Sequence, residues 1–300
     1  MAKEMSKRTK QGIIKWVLGA IILIGLAIYW FVIKPDPITY DVPSGTAEIH
    51  FIDVGQGDST LIKVGDKNVL IDTGENSAKN ALFTYLDNHS VTVIDYFIIT
   101  HFDSDHFANA TAVLETYDVV KLVTPDQVKT TKMYETFMAK VEEQEKAGLI
   151  EPICANDMIG QSITLADLEI KILSPLDDYS NSNDYSIATL IRYGNKRVLM
   201  TGDCEDDSEE DIVARYTKDD LDCDVYKLGH HGSRTSSSQA LLDKATPDYI
   251  VISCGLNNDY GHPHSETMER VEGKETYRTD TQGTIVLSIA NDILTFTTEK

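Results

Sequence analysis

The sequence predicts a mixed α/β domain in which helices enclose two mixed sheets, carried behind one N-terminal membrane-spanning helix. Three observations predict it. Short β-rich runs alternate with helical patterns from residue 46 onward, hairpin signals stand at both ends of that region, and an uncharged apolar run fills residues 16–33.

The N-terminal run, Trp16–Ile33, holds 18 residues, near the lower limit for a helix crossing a bilayer core of about 30 Å. A buried core helix would show a polar face, and this run has none. Lys3, Lys7, Arg8, Lys10 and Lys15 precede it against the single acid Glu4. The positive-inside rule therefore puts residues 1–15 in the cytoplasm and the rest of the chain outside, as a single-pass protein of the cell membrane with an extracellular catalytic domain. A cleavable signal peptide is the competing reading. Its apolar core is usually shorter and ends in small residues, whereas this one ends in Tyr29, Trp30 and Phe31, so an uncleaved anchor is expected. Residues 34–45 carry Pro35, Pro37, Pro43 and a Ser44-Gly45 pair and read as an extended linker, with the folded domain over residues 46–300.

Within that domain, Ala47–Val54, Ser59–Lys63 and Val69–Asp72 read as strands, separated by turn signals at residues 55–58 and 65–68. Residues 78–89 place Ala78, Ala81, Leu82, Tyr85 and Leu86 on one helical stripe. Tyr96–Thr100 is a wholly apolar strand ending in a polar cluster. A helix near 108–116, a strand at 119–124, a helix across 131–147 and strands near 163–165 and 168–173 follow. Residues 187–193 and 197–200 form a hairpin about Gly194-Asn195. A helix near 205–216, strands at 225–228 and 249–253, and a closing pair at 284–290 and 293–297 complete the domain.

The formal net charge is −21, and residues 34–300 alone hold 22 bases against 47 acids. Such a surface repels polyanions at long range, which excludes a non-specific nucleic-acid coat but permits phosphate chemistry at bound cations. The four cysteines, Cys154, Cys204, Cys223 and Cys254, lack metal-ligand spacing and are too sparse for a disulfide framework, so free thiols are expected.

His101-Phe102-Asp103-Ser104-Asp105-His106 follows the strand ending at Thr100 and packs four potential ligands into six residues. Loop histidines and aspartates often serve as helix caps, but capping alone does not need four of them; cation binding does. Asp203 also leaves a strand end, in Thr201-Gly202-Asp203. A third strand ends in Gly229-His230-His231-Gly232-Ser233, where one histidine of the pair is expected to coordinate.

Together these segments resemble the metallo-β-lactamase fold, and within it the hydrolase domain of ComEC-type DNA-uptake competence proteins. The matching stretches are Phe51–Ser59, Leu70–Gly74, Thr100–His106, Thr201–Asp203, Lys227–Ser233, Tyr260–His264 and Thr279–Ile285. The resemblance implies a four-layer αββα sandwich and two divalent metal ions, zinc or manganese. It implies that His101 and Asp103 bind the first metal, Asp105 and His106 the second, that Asp203 bridges, and that His231 or His230 completes the second site. Asp58 and Asp72 would orient ligands. His262 and His264, with Ser233, would contact substrate; Asp105 and His264 form the expected catalytic set, and Lys227 and Ser186 stand nearby. His50 and His89 match no motif and read as structural or surface residues.

Two departures from the family pattern stand out. The usual second histidine of the loop is Asp103, a harder ligand that tilts preference toward manganese. No histidine lies between His106 and His230 where the superfamily commonly places a ligand, leaving Asn183 or Asp184 as oxygen donors. The implied activity is metal-assisted hydrolysis of a phosphodiester, either nucleic acid or a cell-envelope phosphodiester, with Asp105 orienting the attacking water. The alternatives are hydrolysis of a non-phosphate ester, lactone or lactam, and a metal-stabilised binding module without catalysis.

Overall fold

The computed structural model describes residues 40–300 continuously, together with residues 15, 16, 19–21 and 24. Most of the expected membrane anchor and residues 34–39 of the linker lie outside these residues. Among the described residues no helix is long and apolar enough to cross a membrane. Residues Asp41–Lys300 form a compact unit of their own.

Two sheets build that unit. The first begins with β1 (Thr46–Phe51), β2 (Thr60–Val64) and β3 (Lys67–Ile71), an antiparallel meander, and extends through β4 (Val93–Ile98), β5 (Asp118–Thr124) and β6 (Glu151–Cys154), which pair in parallel. The second comprises β7 (Ser162–Leu165), β8 (Leu168–Ile172), β9 (Thr189–Tyr193) and β10 (Lys196–Met200), antiparallel, then β11 (Val225–Lys227), β12 (Tyr249–Ile252) and β13 (Glu275–Arg278), parallel. The terminal hairpin β14 (Ile285–Ala290) and β15 (Ile293–Thr298) returns to the first sheet, with β14 beside β1.

The period-2 pattern decides which face each residue takes. Ala47, Ile49 and Phe51 of β1 meet Ile170 and Ile172 of β8, Ile191 of β9 and Val198 of β10 in the core between the sheets. Full burial of each of the Ile, Val and Phe side chains among them stabilises the fold by about 1.5–3 kcal/mol. On the opposite face of the first sheet, Phe97 and Leu122 pack against the helices α1 (Lys79–Asn88), α2 (Ser104–Phe107), α3 (Ala110–Thr116) and α4 (Lys132–Lys146) through Leu82, Phe107, Val113 and Phe137. On the second sheet, Leu199, Tyr226 and Ile250 pack against α5 (Asp206–Arg215), α6 (Lys218–Leu221) and α7 (Gln239–Ala245) through Ile212, Leu221 and Leu241. Helices thus lie outside both sheets, giving the expected layering.

The expected elements occur with ends shifted by one to three residues. The turn expected over residues 65–68 is only Gly65-Asp66, because Lys67 and Asn68 already pair in the β2–β3 ladder. Sequence reading missed β6, β13, α2, α6, α7 and α8 (Ser265–Arg270). All four cysteines are free, as expected.

Candidate metal centre

The site lies where strands of both sheets run out. β4 delivers His101 through His106, β3 ends at Asp72, β10 is followed by Asp203, and β11 by the two histidines. Gly57 makes the approach of the first loop possible. Its φ is +142°, and a Cβ there would sit 2.4 Å from the Asp105 carbonyl oxygen. That carbonyl accepts the Asp58 N–H at 3.1 Å, fixing Asp58 beside the loop. His230 and His231 have φ of +47° and +55°, a left-handed conformation costing roughly 1 kcal/mol or more per residue and typical of functional loops.

Each histidine of the cluster spends its Nδ1 on the protein. His106 Nδ1 donates to Asp72 Oδ2 at 2.7 Å, and His231 Nδ1 to the Ser253 carbonyl at 3.0 Å. His101 Nδ1 lies 3.1 Å from Thr100 Oγ1 and 3.2 Å from Ser186 Oγ. Thr100 Oγ1 itself donates to Asp72 Oδ2 at 2.6 Å, so it accepts from His101. The Nε2 atoms are thereby left facing the cluster, the arrangement that protein–metal sites use to fix imidazole ligands.

Among the described residues, Asp58, His106, Asp203 and His231 each offer one donor atom, and these four atoms lie within 4.8 Å of one another. Five buried atoms here lack a hydrogen-bond partner: His101 Nε2, His106 Nε2, His230 Nδ1, Asp58 Oδ1 and Asp203 Oδ1. His106 Nε2 and Asp203 Oδ1 are 3.1 Å apart yet are not aligned for a hydrogen bond. Orphaned donors of both kinds at one buried point fit a divalent cation. Asp105 Oδ2 joins at 3.2 Å from His231 Nε2.

The electrostatics agree. Burial opposes a charge on His106, but the Asp203 and Asp72 carboxylates outweigh it and hold its pKa well above the usual histidine range. Burial likewise opposes ionisation of Asp203, yet His106 and His231 hold its pKa well below that of an ordinary carboxylate. Burial and the neighbouring His106 push His101 down to about 4, so it stays a neutral donor. Asp58 is lowered because Lys227, which donates to its Oδ2, overcomes the cost of burial.

The predicted residues divide. Asp58, expected only to orient ligands, enters the four-donor group, while Asp72 makes the orienting contact. Of the adjacent pair, His231 joins the group; His230 turns its Nδ1 to Glu205 Oε1 at 2.8 Å and keeps Nε2 3.7 Å from Asp203 Oδ2. His101 and Asp103 stand outside the group. Asp103 Oδ1 accepts from Lys129 Nζ at 2.9 Å and Ser182 Oγ at 2.6 Å, leaving Oδ2 as its available donor. Asp184 is committed elsewhere, its Oδ1 accepting from the Glu205 N–H and the Ser208 hydroxyl, so Asn183 is the member of that pair that faces the site.

A cavity of about 140 Å³ opens over these groups, lined by Gln56, Asp103, Asp105, Asn183, Asp203, His230, His231, Tyr260 and His262. Two expected substrate contacts, His264 and Ser233, do not line it. His264 Nδ1 accepts the Arg234 N–H at 3.0 Å, and Ser233 Oγ pairs with Thr235 Oγ1 at 2.9 Å, so both are engaged by local loop bonding. Sequence reading missed Gln56, Lys129, Ser182, Glu205 and Tyr260. Gln56 and Tyr260 stood inside recognisable motifs, whereas Lys129, Ser182 and Glu205 carried no local signal. His50, read as structural or surface, is buried and held between Tyr85 Oη and Glu48.

The sequence profile of the metallo-beta-lactamase superfamily matches residues 52–255. The chain belongs to that superfamily. It is 28% identical over 278 residues to ComE operon protein 3 of Bacillus subtilis, covering 86% of this chain and 35% of that protein. It is 30% identical over 277 residues to Recombination protein 2 of Haemophilus influenzae, covering 90% of this chain and 31% of that protein. The chain thus spans about a third of these relatives, and the resemblance to competence proteins holds over that third. Among solved structures, the metallo-beta-lactamase fold protein YhfI of Bacillus subtilis superposes with a TM-score of 0.54 at 15% identity, covering 82% of this chain and all of that one. Igni18, a metallo hydrolase of Ignicoccus hospitalis, does so at 0.53 and 18%, covering 80% and 98%. At these identities the structural matches speak to the superfamily fold alone.

Proposed function

We propose that this chain is a metal-dependent phosphodiester hydrolase, tethered by residues 16–33 with its catalytic domain outside the membrane. The observation that carries the reading is the convergence of unpartnered Nε2 and carboxylate atoms beneath an open, polar cavity. A structural metal site is closed and usually thiolate-rich; this one opens to solvent and has only oxygen and nitrogen donors.

His106, Asp203, His231 and Asp58 would hold one cation, with Asp105 beside them; His101 and Asp103 Oδ2, assisted by Asn183, would supply donors for the other. Zinc or manganese bound there supplies a Lewis acid that lowers the pKa of water and neutralises charge on the scissile phosphate. The protein's own work is positioning. Asp105, half-buried at the cavity floor, orients the attacking water and takes its proton, and Asn183 and Gln56 offer amides to phosphate oxygens. The competence-protein relatives and the cation cluster favour a phosphodiester, of nucleic acid or of the cell envelope. The anchor rests on the uncharged apolar run and the basic segment before it.

Full-length protein in detergent with Mn²⁺ or Zn²⁺ should hydrolyse bis-p-nitrophenyl phosphate, and Asp105→Ala should lower turnover by about a hundredfold or more. Unchanged turnover in that variant refutes the assignment. Preference for a lactam, lactone or carboxylic ester places the chain in another hydrolase class.

A further inference from the structure

Tyr260 stands at the cavity mouth with 63% of its surface exposed. A solitary exposed tyrosine needs no explanation, but this one is the outer member of an aromatic run that starts at the metal donors. The His231 ring lies 6.0 Å from that of His262, and His262 stacks on Tyr260 at 5.6 Å with 22° between the planes. The inner face of Tyr260 is therefore covered, and its outer face is open. Among the described residues its hydroxyl makes no hydrogen bond.

The platform is held in place. Asn258 Nδ2 donates to the Gly255 and His262 carbonyls at 2.9 and 2.7 Å, and Asn258 Oδ1 accepts the His262 N–H at 2.9 Å. Gln56 Oε1 accepts the Gly255 N–H at 3.0 Å, tying the loop to the opposite wall. His262, only 8% exposed, backs the ring from below.

We propose that Tyr260, backed by His262, is the specificity-determining platform on which a nucleobase next to the scissile phosphodiester stacks. The proposal rests on the phosphodiesterase reading. Charge supports it: on the segments that build the site, Lys129, Lys227 and Arg234 are each paired with a carboxylate, Asp103, Asp58 and Glu266. Flanking phosphates find little free cation there, so affinity for the rest of the substrate must come from uncharged faces. Stacking supplies it without reading sequence, since every base has a π-face. A quaternary ammonium such as choline is bound by a cage of several aromatic rings. Among the described residues Tyr260 is the only phenol or indole ring lining this cavity, and one flat, preorganised ring suits a flat ligand.

The test is binding of a fluorescent tetrathymidylate with cleavage-resistant phosphorothioate linkages to full-length protein in Mn²⁺, read by anisotropy. Its comparator is the same oligomer with abasic sugars. The wild type should bind the base-bearing oligomer about tenfold more tightly; Tyr260→Ala should erase that difference without weakening the abasic oligomer, and Tyr260→Phe should preserve it. Equal affinity of the wild type for both oligomers overturns the proposal. So does an equal loss for both in Tyr260→Ala, the same loss in Tyr260→Phe, or a preference for phosphocholine esters that depends on Tyr260. Because binding is read without cleavage, this outcome is separate from failure of the hydrolase reading, which turnover of bis-p-nitrophenyl phosphate reports.

Discussion

Asp72→Asn tests the logic of the centre at its most sensitive point. Asp72 is buried, adopts φ of +59°, and accepts three hydrogen bonds: Thr100 N–H at 2.8 Å on Oδ1, and Thr100 Oγ1 at 2.6 Å and His106 Nδ1 at 2.7 Å on Oδ2. An asparagine keeps the shape and the bond from Thr100 N–H, but its amide nitrogen then faces two donors. Thr100 can rotate its hydroxyl to accept. His106 can relieve the clash only by moving its proton to Nε2, the atom that faces the cation. The ligand is then presented in the wrong tautomer, and affinity should fall about 10- to 100-fold, or roughly 1.4–2.8 kcal/mol. The metal-free domain should lose about 1.5–3 kcal/mol from the missing charge-assisted bond. Competition titration against a fluorescent chelator measures the first quantity and urea unfolding the second. Metal affinity within about threefold of wild type would refute the tautomer argument, whatever happens to stability.

Lys227→Met should strand the Asp58 carboxylate in the interior, costing about 3–5 kcal/mol in metal-free urea unfolding, and adding Asp58→Asn should restore most of it; a double variant no more stable than the single one sinks the pairing account. Cation affinity should rise with pH. In the metal-free protein Asp203 and Asp72 keep His106 protonated above the usual histidine range, so binding must expel that proton. Affinity should therefore increase by up to about tenfold per pH unit below the raised pKa, with roughly one proton released per cation, measured by calorimetry in buffers of different ionisation enthalpy. No dependence on pH or buffer contradicts the assigned proton.

The sandwich was legible because its central strands are apolar on alternating or on both faces, and because strands such as Tyr96–Thr100 run straight into polar clusters. What escaped was short or polar. β6 carries Pro152, β13 reads Glu275-Thr276-Tyr277-Arg278, and α7 and α8 are under three turns long, so tertiary pairing rather than local pattern creates them. The same division runs through the site. His101, Asp105, His106, Asp203 and His231 stand out because motif and strand end coincide. The role of Asp58 depends on the close approach at Gly57, and Lys129 reaches Asp103 from a loop with no pattern of its own; both are products of the folded backbone. That His264 Nδ1 accepts the Arg234 N–H is likewise invisible in the sequence, where a histidine beside Pro263 simply looks available.

The four-donor group draws Asp58 and His106 from one sheet's loops and Asp203 and His231 from the other's. A bound ion would therefore act as a clasp across the open edge of the sandwich, adding to the pairs His106–Asp203 and Lys227–Asp58 that already join the two halves. Conformational stability and cation supply would become a single thermodynamic variable, and a domain of this design would be stiffest in surroundings that also arm it.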